Sequence, residues 1–375
     1  MLIQCTRKLL KQLDIEPESE IEEEPLFSWH ANLKTINRRK AVILVNDKNR
    51  YVVVLYGLKA KDFKKFGYHV EEAIRRTFQE ECIKDEVIEK YFDQSNKIHY
   101  STTKNRSTVA RLNNSCETVY FYQELLDNDS IYNTALSKEV SKQMVGADNK
   151  EYIDPNQEMY NELEVLSGEP IFSCKAVKLK VTLRLENHNV WRELMVPLNI
   201  TFKQLHKVLQ AAFDWKDYHL HEFYIYDKKV SADDLSFFDY PYLEDSFKPI
   251  VNLVCSEEAF YYENEIPMEM ESGIKLSTYL PATVIYNYDF GDDWQHIIEV
   301  DEIIEDYDKN YPVCLDGEGK TPPEDVGGTG GYESFLEIMD DQDHPDHEQM
   351  KQWVQGQGYS EFDVEEINQR LEIYF

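Results

Sequence analysis

Residues 177–226, VKLKVTLRLENHNVWRELMVPLNITFKQLHKVLQAAFDWKDYHLHEFYIY, change hydrophobic period twice. Residues 177–185 alternate apolar and polar, ENHN turns them, and 191–196 return as a second strand. Thr201 then supplies an N-cap, and Phe202, Leu205, Val208, Leu209 and Ala212 fall on one helical face. DWKDYHL ends the helix and 221–226 are strand again. A β-β-α-β order of this kind buries one helix face on one sheet face. It predicts an α+β, β-grasp-like layer and, being a fold argument, says nothing about activity.

A chain of 375 residues exceeds one ordinary domain, and two are expected. Apolar residues make up 42%, enough for packed cores. Residues 1–170 hold 24 Lys and Arg against 29 Asp and Glu, a balance of −5, whereas 171–375 hold 16 against 42, or −26. The acidic second half repels phosphate backbones, so general nucleic-acid binding is not expected of it. The six cysteines, at 5, 82, 116, 174, 255 and 314, form no C-x-x-C pair, which fits reduced thiols in the cytoplasm rather than a zinc knuckle. The charged opening MLIQCTRKLLKQLDIEPE does not read as a signal peptide, and no apolar run has membrane-spanning length.

In the first half, 2–6 read as a strand and RKLLKQL as a helix. Residues 41–45 and 51–56 read as a hairpin around NDKNR. Helical spacing recurs over 70–92, 119–126 and 131–144, which predicts an α+β domain over 1–146. Residues 147–170, acidic and bounded by turn residues, read as the linker to a second domain at 171–375, with room for a short central helix. In that second domain 227–272 read as long and irregular, and 276–280 as a helical turn. Residues 283–288 and 294–300 make a hairpin, and 332–339, 347–353 and 364–374 are closing helices. The DGEGKTPPEDVGGTGGY stretch between them reads as a shaped Gly/Pro loop.

Three ordered motifs, WRELMVPLNITFKQLHKVLQAAFDWKDYHLHEF, YNYDFGDDWQHIIEV and TPPEDVGGTGGYESFLE, resemble the plasmid pRiA4b ORF-3-like family over about residues 177–371. Its members are also labelled passenger TnpR-type proteins of an insertion element. The resemblance implies a compact α+β domain, a mobile-element setting and no established activity. Members usually carry Arg-Ala-Cys before the double proline, where this chain has Gly319-Lys320-Thr321, so a role needing that Arg or Cys is not implied here. MLIQCTRKLL, WHANLKTINRRKAVILVND and TKNRSTVARLNN resemble a separate family known only as a domain of unknown function.

The chemistry-bearing residues gather in the second half. Strand alternation places Tyr286, Tyr288 and Phe290 on one face of the YNYDFGDDWQH hairpin, and Trp294 and His296 share a face past the turn. Asp in such a turn bonds local N–H groups, with Gly291 expected at positive φ. The same carboxylates also suit a divalent cation. The metal-ligand candidates are His221, Asp289, Asp292, His296, Glu324 and Asp325. The wider candidate cleft adds Trp191, His219, Tyr288, Trp294, Pro323 and Tyr332. GEGKT lacks the first glycine of a phosphate-binding loop, and prolines follow where its helix would start. In the first domain Lys34, Arg38, Arg39 and Lys40 form a basic run, read as a solvated strand edge or as a contact for phosphate, nucleic acid or the acidic second half. Two functions compete. One is a binding or adaptor protein that takes a protein or peptide in the second domain's cleft. The other is a metal-dependent hydrolase or nuclease-like enzyme. A regulatory DNA-binding protein acting through the first domain is a third.

Overall fold

The computed structural model describes every residue except 20, 22, 96, 147–150, 228–247, 263 and 375. Two compact units emerge, Met1–Ser173 and Cys174–Phe375, each with its own sheet. Both mix helix and strand, an α+β architecture.

The main sheet of the first unit has five strands: β1 (Leu2–Cys5), β2 (Ser28–Ile36), β3 (Arg39–Asn46), β4 (Val52–Tyr56) and β5 (His99–Thr102), in the order β4-β3-β2-β1-β5, and Val145–Gly146 pairs with Tyr152–Ile153 apart from it. β1 runs parallel to both neighbours, and β2-β3-β4 is an antiparallel meander. Helices α1 (Arg7–Leu13), α2 (Phe66–Glu80), α3 (Asp85–Asp93), α4 (Arg106–Phe121), α5 (Thr134–Ser141) and α6 (Pro155–Ser167) complete it. The sheet is apolar on both faces. Trp29, Leu33, Val53 and Leu55 join one core and Ile43, Val54 and Leu112 the other. The outer edge of β4 is closed by α5, because Val52 and Val54 N–H groups donate to the Ser141 and Ser137 hydroxyls at 2.8 and 2.9 Å. The basic run forms the β2–β3 turn: Asn37 and Arg38 take positive φ of 46° and 64°, as a two-residue hairpin requires. Arg39 donates to the Asn128 carbonyl and Lys40 to Gln12, and each cation also lies over an aromatic ring.

The segment read as a linker behaves otherwise. Asp154 caps α6 through the Asn156 and Gln157 N–H groups, Pro155 opens it and Gly168 closes it in the left-handed conformation. Met159 and Leu163 are fully buried in the first unit's core. The short central helix for which the segment left room runs over Pro155–Ser167, with its start and stop signals present.

The second unit is one eight-stranded sheet of β6 (Cys174–Leu183), β7 (Val190–Pro197), β8 (His221–Tyr226), β9 (Val251–Val254), β10 (Met268–Met270), β11 (Thr283–Tyr288), β12 (Trp294–Tyr307) and β13 (Val313–Glu318). Its order is β10-β9-β8-β11-β12-β6-β7-β13, antiparallel except at β9–β10. Helix α7 (Phe202–Phe213) starts with a Thr201–Gln204 capping box and lays Phe202, Leu205, Val208 and Leu209 on one face of this sheet. Helices α8 (Gly328–Asp340), α9 (His347–Gln355) and α10 (Val364–Tyr374) close the chain. The Gly/Pro stretch is therefore loop only in its middle: its start is edge strand β13 and its end is the first turn of α8. The expected irregular stretch contains β9 and β10, while 228–247 lie outside the described residues. No helix among the described residues is long and apolar enough to cross a membrane.

Candidate functional site

At one end of the second sheet β8 and β12 begin and β9 and β11 finish. The turn there is built by its aspartates. Asp289 Oδ1 accepts from the Gly291 and Asp292 N–H groups at 2.9 and 3.3 Å. Positive φ falls on Asp289 (58°) and Asp293 (56°) and not on Gly291, contrary to expectation. Phe290 leaves the strand face and is exposed, while Tyr286, Tyr288, Trp294 and His296 all enter the core.

The Gly/Pro loop folds onto this turn. Gly327 N–H donates to Asp292 Oδ2 at 3.0 Å. A Cβ on Gly328 would lie 2.7 Å from the Asp292 carbonyl oxygen, and its φ is 68°, so a side chain there is excluded. Glu324 is buried and bonds the Tyr288 hydroxyl and the Lys216 N–H. Asp325 and Asp289 both face His219, at 3.0 and 3.5 Å from its Nε2. Their ligand-competent atoms with His219 lie within 4.8 Å of one another.

A second cluster lies deeper. His206, on the sheet-facing side of α7, is 2.7 Å from Asp217 Oδ1 through Nε2 and 2.7 Å from the Tyr286 hydroxyl through Nδ1. Asp217 is ionised, so Nε2–H donates to it and Nδ1 accepts from the tyrosine. Gln210 in turn donates to that tyrosine oxygen at 3.1 Å. His221 stacks on His206 with ring centroids 3.5 Å apart and 3° between planes, and its Nε2 pairs with the buried Glu271 at 2.9 Å. Burial depresses His206, though Asp217 opposes it. Burial also pulls His221 down, but Cys255 and Glu271 outweigh it and raise the imidazolium to about 9. Burial pushes Asp217 up, yet His206 and Lys207 hold it well below the usual carboxylate range. A charged His221 over a neutral His206 is the arrangement these partners favour.

The expected six-residue ligand set does not converge in one place. Asp289 and Asp325 meet His219, and His221 meets His206 and Asp217. Asp292 and Glu324 hold the loop. His296 is fully buried against Phe213 and Trp215. Its Nδ1 faces the Tyr286 carbonyl at 3.3 Å, its Nε2 has no hydrogen-bond partner, and burial lowers it to about 3. His219 precedes β8 while His221 opens it, and the two imidazoles join different clusters. Trp294 and Pro323 are core and loop packing. Trp191 bonds Glu318 at 3.1 Å on the strand face opposite the inward Arg192. Tyr332 is buried in α8 and meets the Tyr359 hydroxyl at 3.2 Å.

Three residues were not picked out. Arg192 is 3% exposed and donates to the Ala212, Trp191, Glu318 and Gly319 carbonyls and to Thr321. Its signal was an arginine at an inward position of an alternating strand, between Val190 and Leu194. His206 likewise sits on the apolar stripe of α7. Asp217, in the DWKDYHL helix stop, carried no such mark.

An eight-stranded antiparallel-dominated sheet with one capped helix on its face, a looped hairpin end and a buried imidazole pair defines the class of the second unit. The chain belongs to the plasmid pRiA4b ORF-3-like protein family, whose model matches residues 175–370. A domain of unknown function (DUF6933) matches residues 2–158. The chain is similar to the uncharacterized protein y4hQ of Sinorhizobium fredii, 33% identical over 195 residues that cover 52% of this chain and 87% of that protein. It is also similar to a protein of unknown function, MM3350 from Methanosarcina mazei Go1. That crystal structure is 32% identical, with a TM-score of 0.39, over 52% of this chain and 97% of that one.

Proposed function

We propose that the second unit is a binding module that takes a basic protein or peptide segment at the hairpin end of its sheet. One observation carries the reading: aromatic and aliphatic side chains stand exposed around that end. Tyr218 (71%) and Leu220 precede β8, Phe290 follows β11, and Phe260, Tyr261 (85%) and Tyr262 follow β9. Exposed tyrosines in one place mark recognition surfaces, because they bury much area for little lost rotamer freedom. Glu257, Glu258 and Asp325 are exposed among them, in a half-chain with a balance of −26, so Lys- or Arg-bearing partners suit the rim. The test is fluorescence anisotropy with labelled Arg- and Lys-rich peptides against acidic controls. Tyr218→Ala with Tyr261→Ala is expected to weaken binding about tenfold or more. Equal affinity for acidic peptides, or no change in the double variant, sinks the reading.

A second reading rests on His219, Asp289 and Asp325, whose one imidazole and two carboxylates suit a divalent cation that would activate water for hydrolysis. Mn²⁺, Zn²⁺ or Mg²⁺ is then expected to raise the melting temperature, and His219→Ala to abolish the shift. An equal shift in the variant counts against it.

A further inference from the structure

The two main sheets have four edges, and three are met by other parts of the chain. Val52 and Val54 on β4 donate to Ser141 and Ser137. The Tyr100 carbonyl on β5 accepts the Glu18 N–H at 2.7 Å. On β13 one side chain answers both main-chain groups of Cys314. The Cys314 N–H donates to Asn368 Oδ1 at 2.8 Å, and its carbonyl accepts from Asn368 Nδ2 at 3.0 Å.

The fourth edge, β10, is different. It runs parallel to β9, with Met268 beside Asn252 and Met270 beside Val254. The Asn252 N–H donates to the Pro267 carbonyl at 2.8 Å, and the Glu271 N–H to the Val254 carbonyl at 3.1 Å. Alternate residues of a parallel strand face a given neighbour, so Pro267, Glu269 and Glu271 direct their groups at β9 and Met268 and Met270 turn theirs outward. Among the described residues, no N–H or C=O of Met268 or Met270 has a hydrogen-bond partner. Glu269 is exposed and the two methionines are half-buried, so solvent reaches this edge.

Four main-chain groups at two-residue spacing are what one further strand needs. Side-chain alternation states which strand. Met268 and Met270 share one face of β10, and methionine adapts to many apolar shapes. Glu269 stands on the other face. Among the described residues no lysine or arginine pairs with it, or with Glu257 and Glu258, exposed on the chain leading from β9. β10 also ends beside the end of β9, at the hairpin end of the sheet. A second copy paired edge to edge would set Glu269 near its own twin, which like charge disfavours.

From this we infer that the second unit takes a basic peptide as an added strand along β10, in an extended stretch that alternates apolar residues with lysine or arginine. The inference rests on the binding reading above and deepens it. The apolar residues lie on the Met268 and Met270 face, and the basic ones on the Glu269 face.

Fluorescence anisotropy of the full chain with a labelled peptide of alternating lysine and valine tests this. Only every second N–H of an added strand points at β10. N-methylation of one alternate set of peptide amides is therefore expected to weaken binding about tenfold or more, and of the other set to leave it unchanged. Met270→Pro removes an outward N–H while keeping the ladder to β9, and is expected to weaken binding about tenfold. Glu269→Lys is expected to move the preference toward a peptide of alternating glutamate and valine. Equal affinity for the two N-methylated sets overturns strand addition, as does wild-type affinity in both variants. If Tyr218→Ala with Tyr261→Ala still weakens binding in that case, the binding reading stands without it. No binding of any basic peptide overturns both.

Discussion

Each unit sets a buried imidazole against a carboxylate, and the two pairs are finished differently. Around His206 both ring nitrogens are bonded, Tyr286 is held from two sides, Asp217 is shared with Lys207, and Glu271 meets His221. Around His30 the pair with Asp47 closes, but Gln4 Oε1, Ser28 Oγ and Arg50 Nε stay open. A buried polar network that satisfies itself acts as a fastener, since any missing member strands the others. A network with open valences lacks that mutual hold, so losing one member strands fewer of the others. Burial and titratable residues alone do not mark a fastener; the completeness of the bonding does.

That contrast can be broken at several depths. Arg192→Leu is expected to cost the second unit about 4 kcal/mol, because five oxygens lose their donor together. Urea unfolding followed by tryptophan fluorescence reads this unit, which holds Trp191, Trp215, Trp294 and Trp353. A loss under about 1 kcal/mol would show that the arginine fastens nothing. His206→Phe comes next, at about 2–3 kcal/mol, from the stranded Tyr286 hydroxyl and Asp217 carboxylate. A stability equal to wild type would remove the fastener reading of that cluster.

Titration sharpens the comparison within the second unit. His221 is raised from the ordinary 6.5 to about 9, so its contribution to stability is complete below about 6.5 and is lost as pH rises through 9. His296 is lowered to about 3, so the unfolded chain takes up a proton below 6.5 that the folded chain refuses, and stability falls with pH across that window. Urea midpoints from pH 4 to 10 in His221→Gln should flatten the alkaline limb, and His296→Gln the acid limb. Exchanged effects would reverse the assignment.

Tyr288→Phe removes a hydroxyl placed between Glu324 and the Tyr218 N–H and is expected to cost about 1–2 kcal/mol, measured by the same melts. Ser28→Ala should move stability by less than about 0.5 kcal/mol, or raise it, because its oxygen has no partner to lose. A loss above about 1.5 kcal/mol would place Ser28 among the fasteners.

What the sequence made legible was local. The capping box at Thr201, the 3.6 period of α7 and the alternation of β6 and β7 can each be read within a dozen residues. β2 escaped because His30, Asn32 and Lys34 alternate with Trp29, Ala31 and Leu33, and the fold buries most of both sets, so the polar members hid a central strand. β13 escaped because Gly317 reads as loop, whereas the structure needs glycine there: a Cβ would come within 2.6 Å of Phe362 and 2.8 Å of the Trp191 carbonyl. The hairpin's aspartates were visible, but their partners were not. His219 meets Asp325 across 106 positions and His221 meets Glu271 across 50, separations at which one sequence carries no pairing signal.

The serine hydroxyls of α5 along β4 have a consequence beyond cohesion. An unpaired strand edge is a template on which another chain can lay a strand, whether as a recruited peptide or as the first layer of a fibril. Ser137 and Ser141 answer two of the N–H groups that such an intruder would need, with the Ile131 carbonyl taking that of Tyr56, and the serines sit on a helix that cannot itself be extended. The first unit thereby ends its sheet with a surface that imitates a strand and will not propagate one.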